Sequence, residues 1–328
     1  MSKRGGGKRP GGKTEPDSTV DRVVAALERW PDGMHDLGEP TVNVPLDWPP
    51  AVVDVYLAFD GGRLFGDSLS LAAIADAPAW DERGRLALVE WLAEPIEIDR
   101  AGKVWRADAE TGEDVCDGTA FDRWLHGAID ATALLFDDDG EWKDEVFSED
   151  GELTEATAVA MAKAQVRRDP RAPGPRWRLA RALTARGDLD TARAELEEVV
   201  AHAPAQAWAW LDLAKLSERL GALAGAVDEA EAAADADPTH EHRAHFLAEA
   251  TRLAALAADE PRRAALAARA LGLAPDLVSR QLAGADDRLA DGELTAAAHL
   301  AALARALNPR DLNAADLARR IESAQREN

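Results

Sequence analysis

Three places in the chain carry residue types that could do chemistry. Cys116 and His126 could act as a nucleophile and its base. No third group to orient the imidazole is identifiable, and no glycine-rich turn flanks Cys116, so a buried, inert thiol is the competing reading. His240, Glu241, His242 and His245 form a second cluster. His242 and His245 could share a helical face and bind a metal, but no cysteine lies nearby and an exposed polar helix face explains them as well. The third place, Asp137-Asp138-Asp139-Gly140, has the look of a calcium loop. With Gly140 at loop position six, Leu135 and Val146 fall where oxygen ligands are required, so a solvated turn is expected instead. Residues 18–150 contain only His35 and His126 as histidines, which leaves carboxylates for acid–base work. No phosphate loop, zinc-protease or nucleophile-elbow motif stands in its required context. The expectation is a protein without catalytic residues, metal or cofactor.

The elements that carry these residues are better defined than the chemistry. Pro170, Pro204, Pro238, Pro275 and Pro309 are separated by 34, 34, 37 and 34 residues. Gly187, Gly221 and Gly292 each precede one of them by 17 residues. Such timing fits a helix–turn–helix unit in which Gly ends the first helix and Pro the second. Leu179-Ala180, Gly187, Ala192, Leu196 and Pro204 mark one unit; Trp210, Leu213-Ala214, Gly221, Ala226, Ala233 and Pro238 mark the next. Alanines at those places let paired helices approach closely. On these residues the run from Leu153 to Pro309 resembles the tetratricopeptide repeat, whose period is 34. The third unit has three extra residues, with Asp259-Glu260-Pro261 expected in place of the Gly turn. The fourth unit recovers the pattern with Gly292, Ala297, Ala304 and Pro309. Leu153–Arg168 reads as a lone second helix and Leu312–Ala324 as a capping helix.

The resemblance implies that first helices line a concave groove. Carried over by position, the groove residues are Trp177 and Arg181; Trp208, Lys215, Glu218 and Arg219; and His242, His245, Glu249 and Arg252. Two readings stand. Either the groove grips an extended or helical peptide bearing acidic groups, or the tryptophans pack between repeats while the basic residues pair with neighbouring carboxylates. The carboxylate-clamp subtype depends on Asn in first helices, and there is none between residues 44 and 307.

Upstream the texture differs. Residues 1–16 are basic and Gly-rich and are expected to be a disordered tail. The stretch 17–150 reads as a small α+β domain: helices near Val20–Leu27, Pro50–Leu57 and Thr119–His126, and strands at Arg63–Phe65, Ser68–Leu71, Pro95–Asp99, Lys103–Ala107 and around Val115. Leu134–Phe136 and Lys143–Phe147 are expected as closing strands. Seven of the ten tryptophans lie before residue 150, where a thin core needs bulk. The order Tyr56-Leu57-Ala58-Phe59-Asp60-Gly61-Gly62, Ile98-Asp99 to Gly102-Lys103-Val104, then Thr119-Ala120-Phe121 to Leu125 resembles the SUKH superfamily, with Asp60 in place of a frequent Asn. That resemblance implies a non-enzymatic α+β interaction module, with immunity proteins that block toxin domains among its members.

A net charge of −23, from 61 acidic and 38 basic residues, opposes nucleic-acid backbone binding except through the basic tail. One cysteine and no long apolar run predict a reducing, cytoplasmic setting without a membrane span. The predicted architecture is an α+β domain over 17–150, SUKH-like, followed by an all-α tetratricopeptide solenoid over 151–328. The expected role is protein–protein interaction, as adaptor or immunity-type binder, with a basic toxin domain or an acidic peptide as partner. An enzyme whose repeats recruit substrate, or a scaffold for a secretion or assembly complex, is the alternative.

Overall fold

Short apolar alternations build the first part of the chain. The computed structural model describes residues 19–28, 30–237 and 242–327. The tail 1–16 and the residues Pro238, His240 and Glu241 lie outside the described residues. Internal contacts divide the chain into two units: one runs to Ala107 and from Cys116 to Ala172, and the other takes Asp108–Val115 and everything from Pro173.

One sheet runs in sequence order from β1 to β7: His35–Leu37, Gly62–Leu64, Leu69–Leu71, Arg85–Trp91, Glu94–Asp99, Val104–Ala107 and Asp114–Gly118. The pairs from β1 to β6 are antiparallel, with a bulge between Ala87 and Val89. Helices α1 (Thr19–Leu27), α2 (Pro50–Ala58), α3 (Phe121–Thr132) and α4 (Glu155–Arg168) accompany it. Val52, Tyr56, Leu64, Leu69, Ile96, Ile98, Phe121 and Leu125 are fully buried and form one core. Two buried polar tips find partners: Tyr56 Oη donates to Ala72 O at 2.7 Å, and Trp124 Nε1 to Asp117 Oδ2 at 2.8 Å. Trp48, Trp91 and Trp124 fill the core as expected, whereas Trp142 stays 48% exposed.

The Asp60-Gly61-Gly62 turn has a structural explanation. Asp60 Oδ1 accepts from the Ile74 backbone at 2.7 Å. A Cβ on Gly61 would meet the Ala73 backbone at 2.7 Å, and Gly62, with φ +147°, would meet Asp36 O at 2.7 Å. Only glycine lets β1 and the end of β3 close on this turn.

Two expectations fail here, and one full strand, Arg85–Trp91, lies where none was predicted. The expected closing strands Leu134–Phe136 and Lys143–Phe147 are tight turns, with only the isolated bridges Phe136–Trp142 and Phe147–Leu153 as β pairing there. The helix expected as a lone repeat element, α4, packs on α3 in the first unit, where Gly127 lets the Gln165 backbone approach a would-be Cβ to 3.2 Å. The unit boundary therefore falls at Ala172 rather than near residue 150.

The second unit contains α5 (Pro173–Ala185), α6 (Leu189–His202), α7 (Ala207–Arg219), α8 (Leu223–Ala236), α9 (Arg243–Leu256), α10 (Glu260–Leu273), α11 (Leu277–Ala290), α12 (Leu294–Leu307) and α13 (Leu312–Glu327). They pair as hairpins, α5 with α6 through α11 with α12. Gly187, Gly221 and Gly292 hold φ of +80°, +78° and +79° at the hairpin turns. The third hairpin keeps the same geometry with Ala258 at φ +57°, 17 residues before Pro275. The turn therefore sits one residue before Asp259-Glu260-Pro261, and the three extra residues fall between Pro238 and Ala258. Asp259 instead caps α10, accepting from the Arg262 backbone at 3.1 Å.

A left-handed non-glycine residue costs about 1–2 kcal/mol, of which glycine's extra unfolded freedom takes back roughly 0.5–1. Ala258→Gly should accordingly stabilise the unit by about 0.5–1 kcal/mol. A higher midpoint in urea, with unchanged slope, is the expected result; a lower midpoint would contradict it.

The fourth hairpin docks differently from the others. In the regular stack the first helix of a hairpin packs on the preceding second helix, as α7 does on α6 and α9 on α8. At the last junction α12 takes that place and packs on both α9 and α10. Leu303 and Leu307 enter the core of the preceding hairpins, and Arg263 Nη1 donates to Ala306 O at 2.5 Å. The hairpin pattern recovers in the fourth unit, but the stacking register does not.

Candidate functional site

The first helices α5, α7 and α9 present one face that gathers most of the residues expected in a groove. On α5, Trp177 and Arg181 are one turn apart, which places the guanidinium on the indole, 4.0 Å from its centroid. Asp212 on α7 locks both, accepting from Trp177 Nε1 at 2.8 Å and Arg181 Nε at 3.0 Å. Burial works against the Arg181 charge, but Asp212, Asp108 and Glu110 outweigh it and hold its pKa above the ordinary value. Lys215 lies one turn along α7, 3.9 Å from Asp212 Oδ1, and is exposed.

A second cluster is aromatic. Trp208 meets the rings of His242, His245 and Phe246 at centroid distances of 5.3, 5.8 and 5.1 Å. Burial lowers the His245 pKa below the usual histidine value. Below this cluster, Glu249 is 1% exposed and accepts from Arg252 Nε at 3.0 Å. His299 Nε2, reaching from α12, lies 2.6 Å from the same carboxylate. An ionised carboxylate only accepts, so this nitrogen carries the proton. Arg252 in turn makes two bonds to Glu218, both at 2.6 Å.

The expected groove residues thus divide. Arg181 joins Trp177, and Trp208 joins His242 and His245. Trp177 and Arg252 are buried, at 2% and 7% exposure, with their polar atoms bonded inside the unit, so neither is open surface. Arg219 stands apart, exposed, with Nη1 3.5 Å from Thr184 O. Pairing with neighbouring carboxylates describes both Arg252, through Glu218 and Glu249, and Arg181, through Asp212, Asp108 and Glu110.

No local pattern announces the segment that meets Arg181. Asp108–Val115 lies against α5 and the start of α7 within the second unit. Asp108 Oδ2 accepts from Arg181 Nη1 at 2.8 Å, Glu110 Oε2 lies 3.3 Å from the same nitrogen, and Glu113 Oε2 accepts from Gln206 Nε2 at 2.7 Å. These contacts join residues 73 and 93 positions apart, beyond any local periodicity.

The other candidates for chemistry look different in place. Burial pushes the Cys116 thiol up to about 11, and its Sγ faces Gly118 O at 3.4 Å, the opposite of an activated nucleophile. His126 is buried within α3. Asp137 Oδ1 accepts from the backbones of Asp139 and Glu141, closing the Asp137–Gly140 turn on itself. Among the described residues no group of three or more His, Cys, Asp or Glu side chains could hold a metal ion. Among them, too, no helix is long and apolar enough to cross a membrane.

Residues 173–216, spanning α5, α6 and most of α7, match the family model described as "Tetratricopeptide repeat". No curated protein matches the chain. Similar solved structures include YrrB, described as a TPR protein with an unusual peptide-binding site, at 14% identity and TM-score 0.34, over 52% of this chain and 86% of that one. A thermophilic TPR protein of Thermus thermophilus, TTC0263, is 24% identical, with TM-score 0.33, over 52% and 90%. PilW, a type IV pilus biogenesis factor, is 17% identical, with TM-score 0.35, over 53% and 86%.

Proposed function

We propose that the chain is a non-catalytic protein-binding scaffold, of adaptor or immunity type, whose working surface is the groove on α5, α7 and α9. Its ligand is a peptide segment with acidic side chains. The observation that supports this is Arg181. Its guanidinium is fixed by Trp177 and Asp212 yet still offers Nη1 to carboxylates, and a preorganised arginine on an aromatic face suits carboxylate recognition. Lys215 adds a second, more exposed cation one helical turn along α7 from Asp212.

A charge-assisted hydrogen bond contributes about 1.5–3 kcal/mol, so loss of Arg181 should weaken an acidic peptide at least about tenfold. The test is fluorescence anisotropy of the full chain with a labelled peptide of alternating Asp and Gly, taken to millimolar concentration, against its Lys–Gly counterpart. The acidic peptide should bind more tightly, and Arg181→Met, which keeps an apolar stem over Trp177, should remove the preference. Equal binding of both peptides by the folded wild type would dismiss the reading.

A second surface supports the immunity-type reading of the SUKH-like unit. Residues 137–152 carry nine carboxylates against one lysine, and Trp142 stands exposed among them, packed on Phe136 and Phe147. Such a patch suits a basic toxin-like domain by charge complementarity. Trp142→Ala combined with Asp138→Lys and Asp139→Lys should abolish binding of a basic nuclease domain retained by the wild type. Undiminished binding would exclude the patch.

A further inference from the structure

We infer that Asp108–Val115 is a built-in competitor for the groove, and that the external ligand is an acidic segment that displaces it. The inference rests on the peptide-groove reading above and adds to it the ligand's chemistry and the means of its control.

The segment is organised as a ligand would be. Asp108 Oδ1 accepts from the backbone and hydroxyl of Thr111 at 3.0 and 2.9 Å, the Asp108 backbone N–H donates to Glu113 O at 2.8 Å, and the Gly112 N–H donates to Asp108 O at 2.7 Å with φ +70°. These bonds close a tight turn that leaves Asp108 Oδ2, Glu110 and Glu113 to face outward. Two of the three carboxylates reach Arg181 and the third reaches Gln206. The groove's most preorganised cation is therefore answered from within the same chain. A tethered segment acts at a local concentration in the millimolar range, so even a weak contact keeps the groove filled.

The fit is unequal at its two ends. At the Arg181 end, charge meets charge. At the Gln206 end the partner is a neutral amide, and Asp237, Asp108 and Asp114 all lie close enough to oppose a charge on Glu113. Burial, reinforced by these carboxylates and only partly offset by the Gln206 hydrogen bond, pushes Glu113 up to about 7. An incoming peptide with a carboxylate for Arg181 and an amide or hydroxyl for Gln206 keeps the favourable end and relieves the other. The ligand class is thus an acidic peptide whose Asp or Glu lies a few residues before a neutral hydrogen-bonding side chain.

The experiment uses the full chain and a labelled peptide copying residues 107–115. Its affinity is measured for the wild type and for a chain carrying Asp108→Asn, Glu110→Gln and Glu113→Gln. The neutralised chain should bind at least about tenfold more tightly. A second readout leaves the segment unaltered: excess peptide should speed backbone hydrogen exchange at 108–115 in the wild type. Equal affinity for the two chains, with binding still lost on Arg181→Met, would overturn the competitor while leaving the groove intact. Unchanged exchange at saturating peptide would overturn it as well. Failure of this peptide and of the alternating Asp–Gly peptide to bind either chain would overturn both readings.

Discussion

Phe246→Ala should cost the second unit about 3–5 kcal/mol, the range for removing a fully buried aromatic ring. The ring is 0% exposed and sits in the cluster that joins three hairpins, with Leu211, Leu247, Leu253 and Leu266. The same cluster includes Ala207, Ala214, Ala226, Ala230, Ala233 and Ala250. Alanines have no side-chain freedom with which to fill the void, so the cavity persists rather than collapses. The same ring sets the positions of Trp208, His242 and His245, so the groove should loosen as stability falls. Urea unfolding followed by tryptophan fluorescence measures the loss. Phe246→Leu, which leaves a smaller cavity, should cost less than half as much. A loss below about 1 kcal/mol for the alanine variant would show that the cluster repacks.

Glu249→Ala should cost about 3 kcal/mol, at the low end for breaking a buried ion pair, because Arg252 keeps its two bonds to Glu218. Replacing the network at once, as Glu249→Leu with Arg252→Met and His299→Leu, should recover most of that loss. Glu218 is then left partly in water, free to solvate. The dependence on pH follows from the same carboxylate. Burial alone would raise its pKa, but the His299 hydrogen bond and the charges around it prevail and bring it to about 2. A depressed carboxylate stabilises the fold above its unfolded value of about 4.5 and loses that contribution as pH falls toward 2. Stability of the wild type should therefore decline between those values more steeply than that of Glu249→Ala. Parallel acid titrations would refute the assignment. His245 acts at higher pH with the opposite sense of charge: with its pKa held below 6.5, protonation favours the unfolded chain, and stability drops as pH falls through 6.5.

Legibility in the sequence followed the range of the physical cause. The repeat hairpins could be read because their determinants are local: a residue able to take a left-handed turn, a proline 17 positions later, and small residues where helices cross. Even Ala258 obeys that spacing, although its type hid it. The Asp60-Gly61-Gly62 turn and the hairpin through Gly102 were visible for the same reason. Strand β4 was missed because its alternation is interrupted by the bulge at Leu88, which puts Leu88 and Val89 side by side in the buried pattern. Of the site, Trp177, Arg181, Trp208, His242 and His245 could be placed by the positions that the tetratricopeptide resemblance implies. Whether a side chain on that face is open or satisfied depends on residues far along the chain. Asp212 and Gln206 carried no signal, and Asp108–Val115 could be recognised only once the fold had brought it to α5.

The docking of α12 sets a limit on length. A stack that continued in register would offer a fourth first helix beyond α9, and a fifth after that, each able to read a few more residues of a bound chain. Here α12 occupies that position and the sequence of first helices stops at three. Neighbouring helices lie about 8–10 Å apart, so three of them span roughly 20 Å between the outer axes. An extended strand covers that distance in about six residues at ~3.3 Å each. If the proposed groove binds a peptide, it would be a ruler as well as a receptor: it would measure a short linear motif and give no further grip to whatever extends beyond it.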